Sequence, residues 1–282
     1  MDGILFINKP VGITSHDVVY KIKRKLNLVK LGHTGTLDPF ASGLMILCVG
    51  KATKLQSLFL NLDKVYEGTI QFGHHYDTYD YTGTIVESTY HKVTEEEIQK
   101  KIREFNKTYL QRPPMYSARK HEGRKLYHLA REGKEVIVEP REVHIYDFKM
   151  TSSLNDQTFD FRAHVSKGTY IRSLAVDLAE SLSTYGALTR LNRISIGNYH
   201  LDNAKMISDV LESDIISLDQ FLAGSPSITL SEYMCNLVKN GVYLDERQTT
   251  IKENFIVKDE LGNMIAYYEY IGENTYRPLV IL

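Results

Sequence analysis

The sequence predicts an α+β fold with a mixed or antiparallel sheet, followed by a small β-rich C-terminal unit. Three observations predict it. Strand-like and helix-like patterns interleave without the regular alternation of a doubly wound fold. Val143 and Ile145, then Phe159, Phe161, Ala163 and Val165, alternate on either side of the polar turn Thr151–Asp156, as two paired strands do. Gly224-Ser225-Pro226 reads as a linker, and the residues beyond it carry short strand patterns such as Met264–Ile271.

Taken in order, Ile4 to Ile7 reads as a short buried strand before the turn Lys9-Pro10-Val11-Gly12. Thr14 or Ser15 caps a helix whose Val18, Val19, Ile22 and Leu26 share one face, with its lysines outward. Residues 32–43 lose periodicity at Gly32, Gly35, Pro39 and Gly43 and read as a loop, and Leu44–Val49 follows as a buried strand. Thr53 to Leu62 reads as helix and Val65 to Phe72 as strand. Thr94 and Glu97 form a capping box for a helix with Ile98, Ile102 and Phe105 inward. Pro113-Pro114 keeps residues 109–120 irregular. Leu126, Leu129 and Ala130 predict a short helix stopped by Gly133. Ser166-Lys167-Gly168 turns into a helix with Ile171, Leu174, Ala175, Leu178 and Leu182 inward. The acidic stretch Asp202–Asp219 is helix-poor and leads to the linker.

With 282 residues, 43% of them hydrophobic and 24% charged, the chain has room for one large and one small domain. No apolar run approaches the roughly 18 residues of a membrane helix, and the N-terminus lacks a basic leader, so a cytoplasmic protein is expected. Cys48 and Cys235 stand in apolar surroundings and imply neither a disulfide framework nor a metal cluster. A net charge of −1 argues against a protein that coats nucleic acid, but the charge is unevenly spread. Residues 21–37 hold five basic side chains and no acid, residues 111–141 eight against four, and residues 231–282 five against eight. Positive charge thus gathers in the first two thirds, where it suits a ligand lined with phosphates. Any one of these clusters also reads as a solvated helix face.

The stretch Gly32-His33-Thr34-Gly35-Thr36-Leu37-Asp38-Pro39-Phe40-Ala41-Ser42-Gly43-Leu44 is the most informative. Its glycines permit a tight backbone path beside a ligand, and Asp38 is its one carboxylate. An Asp before Pro also serves as a plain turn residue. A phosphate-binding loop is excluded, because no Gly-Lys-Ser/Thr follows the glycines.

Five segments in order resemble one family. Lys9-Pro10-Val11-Gly12-Ile13-Thr14-Ser15, the Gly32–Leu44 loop, Tyr66 in its strand, Ser166–Leu174 and Leu188-Thr189-Arg190-Leu191-Asn192-Arg193 together resemble the bacterial tRNA pseudouridine-55 synthases, the TruB family. The resemblance implies a mixed, largely antiparallel catalytic domain over residues 1–224, with an RNA-gripping insertion at 111–141. It also implies a short PUA-like domain over 225–282, although that segment departs from the family in being net negative and thus a poor phosphate clamp. It implies isomerisation of a flipped uridine in the T-arm loop of tRNA, at position 55, with no cofactor, no metal, and no obligatory protein or guide RNA partner.

On the same resemblance Asp38 is the nucleophile, attacking C1′ or the base, and Arg172 pairs with it and keeps it ionised. Tyr66 stacks on the uracil and helps move the C5 proton, and Tyr170 and Leu191 wall the pocket. His33 contacts the displaced RNA. Lys9, Arg112, Arg119, Lys120 and Arg124 meet its phosphates, and Tyr116 offers a stacking surface. Two other classes compete. An RNA-binding or tRNA-folding chaperone would not need Asp38, Tyr66 and Arg172 together. A glycosidase-like hydrolase needs a second acid beside Asp38, and no motif supplies one.

Overall fold

The computed structural model describes residues 1–282 apart from Ala118, Glu135 and Ile137 and the side chains of Lys120, His121, Lys125 and Arg131. The chain begins with β1 (Gly3–Lys9), α1 (Ser15–Lys25), β2 (Leu31–His33), β3 (Ser42–Val49), α2 (Gln56–Leu60) and β4 (Lys64–Phe72). It continues through β5 (His74–Tyr76), β6 (Ile85–Ser88), α3 (Glu95–Phe105), β7 (Thr108–Gln111), β8 (Lys120–His121), β9 (Arg124–Lys125) and α4 (Leu126–Arg131). Then come β10 (Arg141–Met150), β11 (Thr158–Val165), α5 (Ile171–Ser181) and β12 (Gly186–Ile196). The remainder is β13 (Tyr199–His200), β14 (Lys205–Met206), β15 (Ile216–Ser217), α6 (Leu218–Leu222), β16 (Ser227–Thr229), α7 (Glu232–Lys239), β17 (Phe255–Lys258), β18 (Met264–Tyr270) and β19 (Tyr276–Ile281).

One large sheet runs β14-β1-β3-β12-β4-β11-β10-β7. Its pairs are antiparallel except β1 with β14 and β3 with β12, so the sheet is mixed and largely antiparallel as expected. β3 shows how it is covered. Met45, Leu47 and Val49 face one core with α1, α3 and α5, while Leu44, Ile46 and Cys48 face a second. Ile256, Tyr267 and Val280 from the C-terminal sheet β16-β17-β18-β19 enter that second core beside Phe59 of α2 and Leu218 and Leu222 of α6, so the small sheet packs on the face away from α1, α3 and α5.

The capping chemistry is where the sequence placed it. The Thr14 hydroxyl accepts the Asp17 N–H at 3.0 Å, and the Thr94 hydroxyl accepts the Glu97 N–H at 3.3 Å, each within a reciprocal capping box. Other expectations need correction. The 32–43 stretch is not all loop, since Leu31–His33 pairs along β3. The helix expected over 53–62 is split into a 3₁₀ turn, Gly50–Leu55, and the short α2. The acidic 202–219 stretch folds back on β1 through β14 and β15, which use main-chain hydrogen bonds rather than apolar periodicity. The central strand β12 was not foreseen. Two bulges against β4, at Leu188/Arg190 and Arg193/Ser195, shift its register and break the alternation that marks a strand.

Candidate active site

The loop between β2 and β3 is immobilised around Asp38 from both sides. Ser15 Oγ donates to the Leu37 carbonyl at 3.1 Å and accepts the Leu37 N–H at 2.8 Å. On the other flank the Pro39 carbonyl accepts the Gly12 N–H at 2.8 Å and the Lys9 ammonium at 3.4 Å. Beneath the loop, fully buried Arg193 donates from Nε to the Leu44 carbonyl at 2.8 Å and from Nη2 to the Gly35 carbonyl at 3.1 Å. Gly43 lets β12 approach this closely. Its φ is +114°, and a Cβ there would stand 2.4 Å from the Arg193 carbonyl oxygen.

Arg172, in the first turn of α5, is 5% exposed and uses every edge of its guanidinium. Nε meets Asp38 Oδ2 at 2.9 Å and Nη2 meets Oδ1 at 3.0 Å, a bidentate pair. Nη2 also donates to the Tyr116 carbonyl at 2.7 Å, and Nη1 donates to the Thr78 carbonyl at 2.7 Å. Asp38 itself is a third exposed, so the carboxylate opens on a cleft. Enclosure pushes the Asp38 carboxyl above the usual carboxylate range, Arg172 pulls it down, and nearby Asp80 pushes it up again.

The cleft measures about 410 Å³, within the usual span of roughly 300–1,000 Å³ for small-molecule sites. Asp38, Tyr66, Tyr170, Arg172, Leu191 and Arg119 all line it. Tyr66 comes from β4, Leu191 from β12 and Tyr170 from the turn before α5, so three separate segments meet at the carboxylate. Ser117 adds a buried hydroxyl with no hydrogen-bond partner among the described residues.

Of the remaining sequence candidates only Arg119, among the described residues, lines the cleft. Lys9 is fully buried, and its ammonium also donates to the carbonyls of Pro10 at 2.9 Å and Ile13 at 2.8 Å. Its place in the RNA contacts is therefore corrected: it clips the loop, and burial brings its pKa down to about 8. His33 ends β2 and does not line the cleft; its Nδ1 accepts the Gly35 N–H at 3.4 Å, and burial lowers its pKa. Arg112 is exposed at the exit of β7, Arg119 also donates to the Glu139 carbonyl, and Arg124 pairs with Glu132 on the surface. The side chain of Lys120 lies outside the described residues.

A second carboxylate does stand near Asp38, contrary to expectation. Asp80 is 3% exposed and lies 3.5 Å from Arg172 Nη1, while its Oδ1 accepts from the Thr82 N–H and hydroxyl. It faces the far edge of Arg172 rather than the cleft, so it tunes the pair and is not placed to protonate a leaving group. Its local sequence, Tyr79-Asp80-Tyr81, carries no signal of a partner so far along the chain.

The same fold is found in the crystal structure of a Cbf5-Nop10-Gar1 complex, at a TM-score of 0.69 and 23% identity over 95% of this chain and 78% of that one. A structure of an H/ACA RNP bound to a substrate RNA containing 2′-deoxyuridine matches at a TM-score of 0.67 and 20% identity, over 99% and 83%. The family model described as TruB family pseudouridylate synthase, N-terminal domain, matches residues 23–171. Proteins called tRNA pseudouridine synthase B are similar over nearly the whole chain. That of Onion yellows phytoplasma (strain OY-M) is 52% identical over 99% of both chains, and that of Acholeplasma laidlawii (strain PG-8A) 51% over 95% of both. The fold is thus that of an enzyme that makes pseudouridine. The chain belongs to the TruB family of pseudouridylate synthases.

Proposed function

We propose that the chain isomerises uridine to pseudouridine in the T-arm loop of tRNA, at the position the family resemblance assigns, with Asp38 as nucleophile. The observation that carries this reading is the bidentate Asp38–Arg172 pair opening on a cleft walled by Tyr66, Tyr170 and Leu191. The names of the relatives supply tRNA as the substrate class.

The chemistry conserves atoms and electrons. The N1–C1′ bond breaks, the base turns, C5 bonds to C1′, and the C5 proton leaves for N1 through solvent or a cleft group. Asp38 carries the intermediate covalently, at C1′ or on the base, and is released at the end. Arg172 keeps the carboxylate ionised and aimed. Tyr66 stacks on the extruded base and assists removal of the C5 proton, while extrusion itself costs about a few kcal/mol. Arg112, Arg119 and Lys120 within residues 111–141 contact phosphates, with Arg124 and His33 as further RNA contacts. Residues 225–282 form a PUA-like unit.

The test uses unmodified tRNA transcript carrying tritium at uracil C5, with no cofactor or metal added. Wild-type protein should release tritium, and Asp38→Asn should bind the tRNA without release. Binding without release by the wild type would replace the isomerase by an RNA-binding protein.

A further inference from the structure

Gln111 ends β7, is 1% exposed, and grips both main-chain polar groups of one residue of the cleft wall. Its Oε1 accepts the Tyr170 N–H at 2.8 Å, and its Nε2 donates to the Tyr170 carbonyl at 3.1 Å. Nε2 also donates to the Tyr109 hydroxyl at 2.7 Å, and that hydroxyl donates to Asp177 Oδ2 at 2.8 Å.

This chain has a direction. An ionised carboxylate only accepts, so the Tyr109 hydroxyl donates its hydrogen bond to Asp177 and keeps a lone pair for an N–H. The amide nitrogen of Gln111 supplies it, which turns the amide oxygen toward the Tyr170 N–H. The flipped amide would set oxygen against the Tyr170 carbonyl and N–H against N–H. Asp177, six positions after Ile171 on α5, thereby fixes how the start of its own helix is held.

That start matters. Tyr170 is the N-cap of α5, its side chain makes no cap hydrogen bond, and Gln111 holds it from another strand instead. Arg172 follows two residues later, and Ser173 Oγ ties the same turn to the Arg112 carbonyl at 2.7 Å. We propose that Gln111 is a positioning residue of the isomerase, setting the Tyr170 wall and the helix turn that aims Arg172 at Asp38, with its amide orientation dictated by Tyr109 and Asp177. The proposal rests on the functional reading above. Its scale follows from the sensitivity of reacting geometry, where a misplacement of about 1 Å costs roughly 10²-fold.

Three variants test it: Gln111→Glu, isosteric but without the donor end; Gln111→Met, which keeps bulk alone; and Asp177→Asn, which lets the carboxamide donate to Tyr109. Each is measured for single-turnover tritium release at saturating protein, for tRNA Kd and for Tm. Gln111→Glu should slow release about tenfold or more while Kd stays within about twofold, as losses behind a reacting group do. Asp177→Asn should slow release yet raise Tm at pH 8, a combination that structural damage does not produce. Should Gln111→Met fail to fold, the other two variants decide. Wild-type rates in Gln111→Glu and Asp177→Asn, or slowing matched by lost tRNA binding, overturn the proposal alone. A wild type that releases no tritium overturns the functional reading and this proposal with it.

Discussion

Asp38 is aimed by hydrogen bonds to the peptide units beside it, because a short side chain on an immobile backbone has few ways to miss. Ser15 holds Leu37 from both its polar main-chain groups, and neither bond is visible in the sequence, where Ser15 reads only as a helix start. Ser15→Ala leaves two buried polar groups unpaired, a loss of about 1–3 kcal/mol in stability. It should also lower kcat with little change in KM, which steady-state kinetics on the tRNA substrate would read. A pure rise in KM would mean that Ser15 serves binding instead. Asp38 itself was legible because its whole motif was; Asp80 and Gln111 were not, since their importance lies in partners far along the chain. Asp177 gives a pH signature. Burial, aided by Glu180 and opposed by the Tyr109 hydrogen bond, pushes its pKa from 3.8 up to about 6. The folded state thus binds this proton more tightly than the unfolded chain, so the contribution is complete below the unfolded value and lost as pH rises through about 6. Asp177→Asn removes that loss, and its Tm relative to wild type should be higher at pH 8 than at pH 4. Equal offsets at both pH values would remove Asp177 from this account.

At the scale of elements, the sequence was read best where local chemistry decides the outcome. Thr14 and Thr94 cap helices because a hydroxyl at that position satisfies an N–H that no helix residue can reach, whatever surrounds it. Thr94→Ala should therefore cost about 1 kcal/mol, seen as a lower urea midpoint with unchanged catalysis. β12 was unreadable for the opposite reason. Its strand character comes from pairing with β3 and β4, and two bulges hide the alternation. The junction of β3 with β12 depends on Gly43. Gly43→Ala would place its Cβ 2.4 Å from the Arg193 carbonyl oxygen at a φ of +114°. Strain of about 1–3 kcal/mol from backbone alone, with the clash added, should lower stability and loosen the loop that carries Asp38. A stable, fully active Gly43→Ala protein would show that β12 can retreat without disturbing the site.

Across the whole molecule, the unequal charge of the two parts has a structural counterpart. Tyr66 and Leu191, which wall the cleft, belong to the core that α1, α3 and α5 cover, whereas the C-terminal sheet joins the core on the other face. Gly224–Pro226 reads as a break because Gly and Pro are local signals, but nothing local could show that the strands beyond it share a core with Ile4, Leu44 and Ile46. That sharing couples the two parts energetically. Without the C-terminal sheet, the core that alternate residues of β1 and β3 share with α2 and α6 would lose part of its cover, at about 1.5–3 kcal/mol for each large apolar side chain fully exposed. Tyr267 is 7% exposed within this shared core, so Tyr267→Ala should cost about 3–5 kcal/mol. If the parts are coupled, calorimetry shows one transition in the wild type, and the variant moves that whole transition down by several degrees. If the small sheet melts first and leaves the larger transition in place, the shared core contributes little, and residues 225–282 are held to the rest by the chain alone.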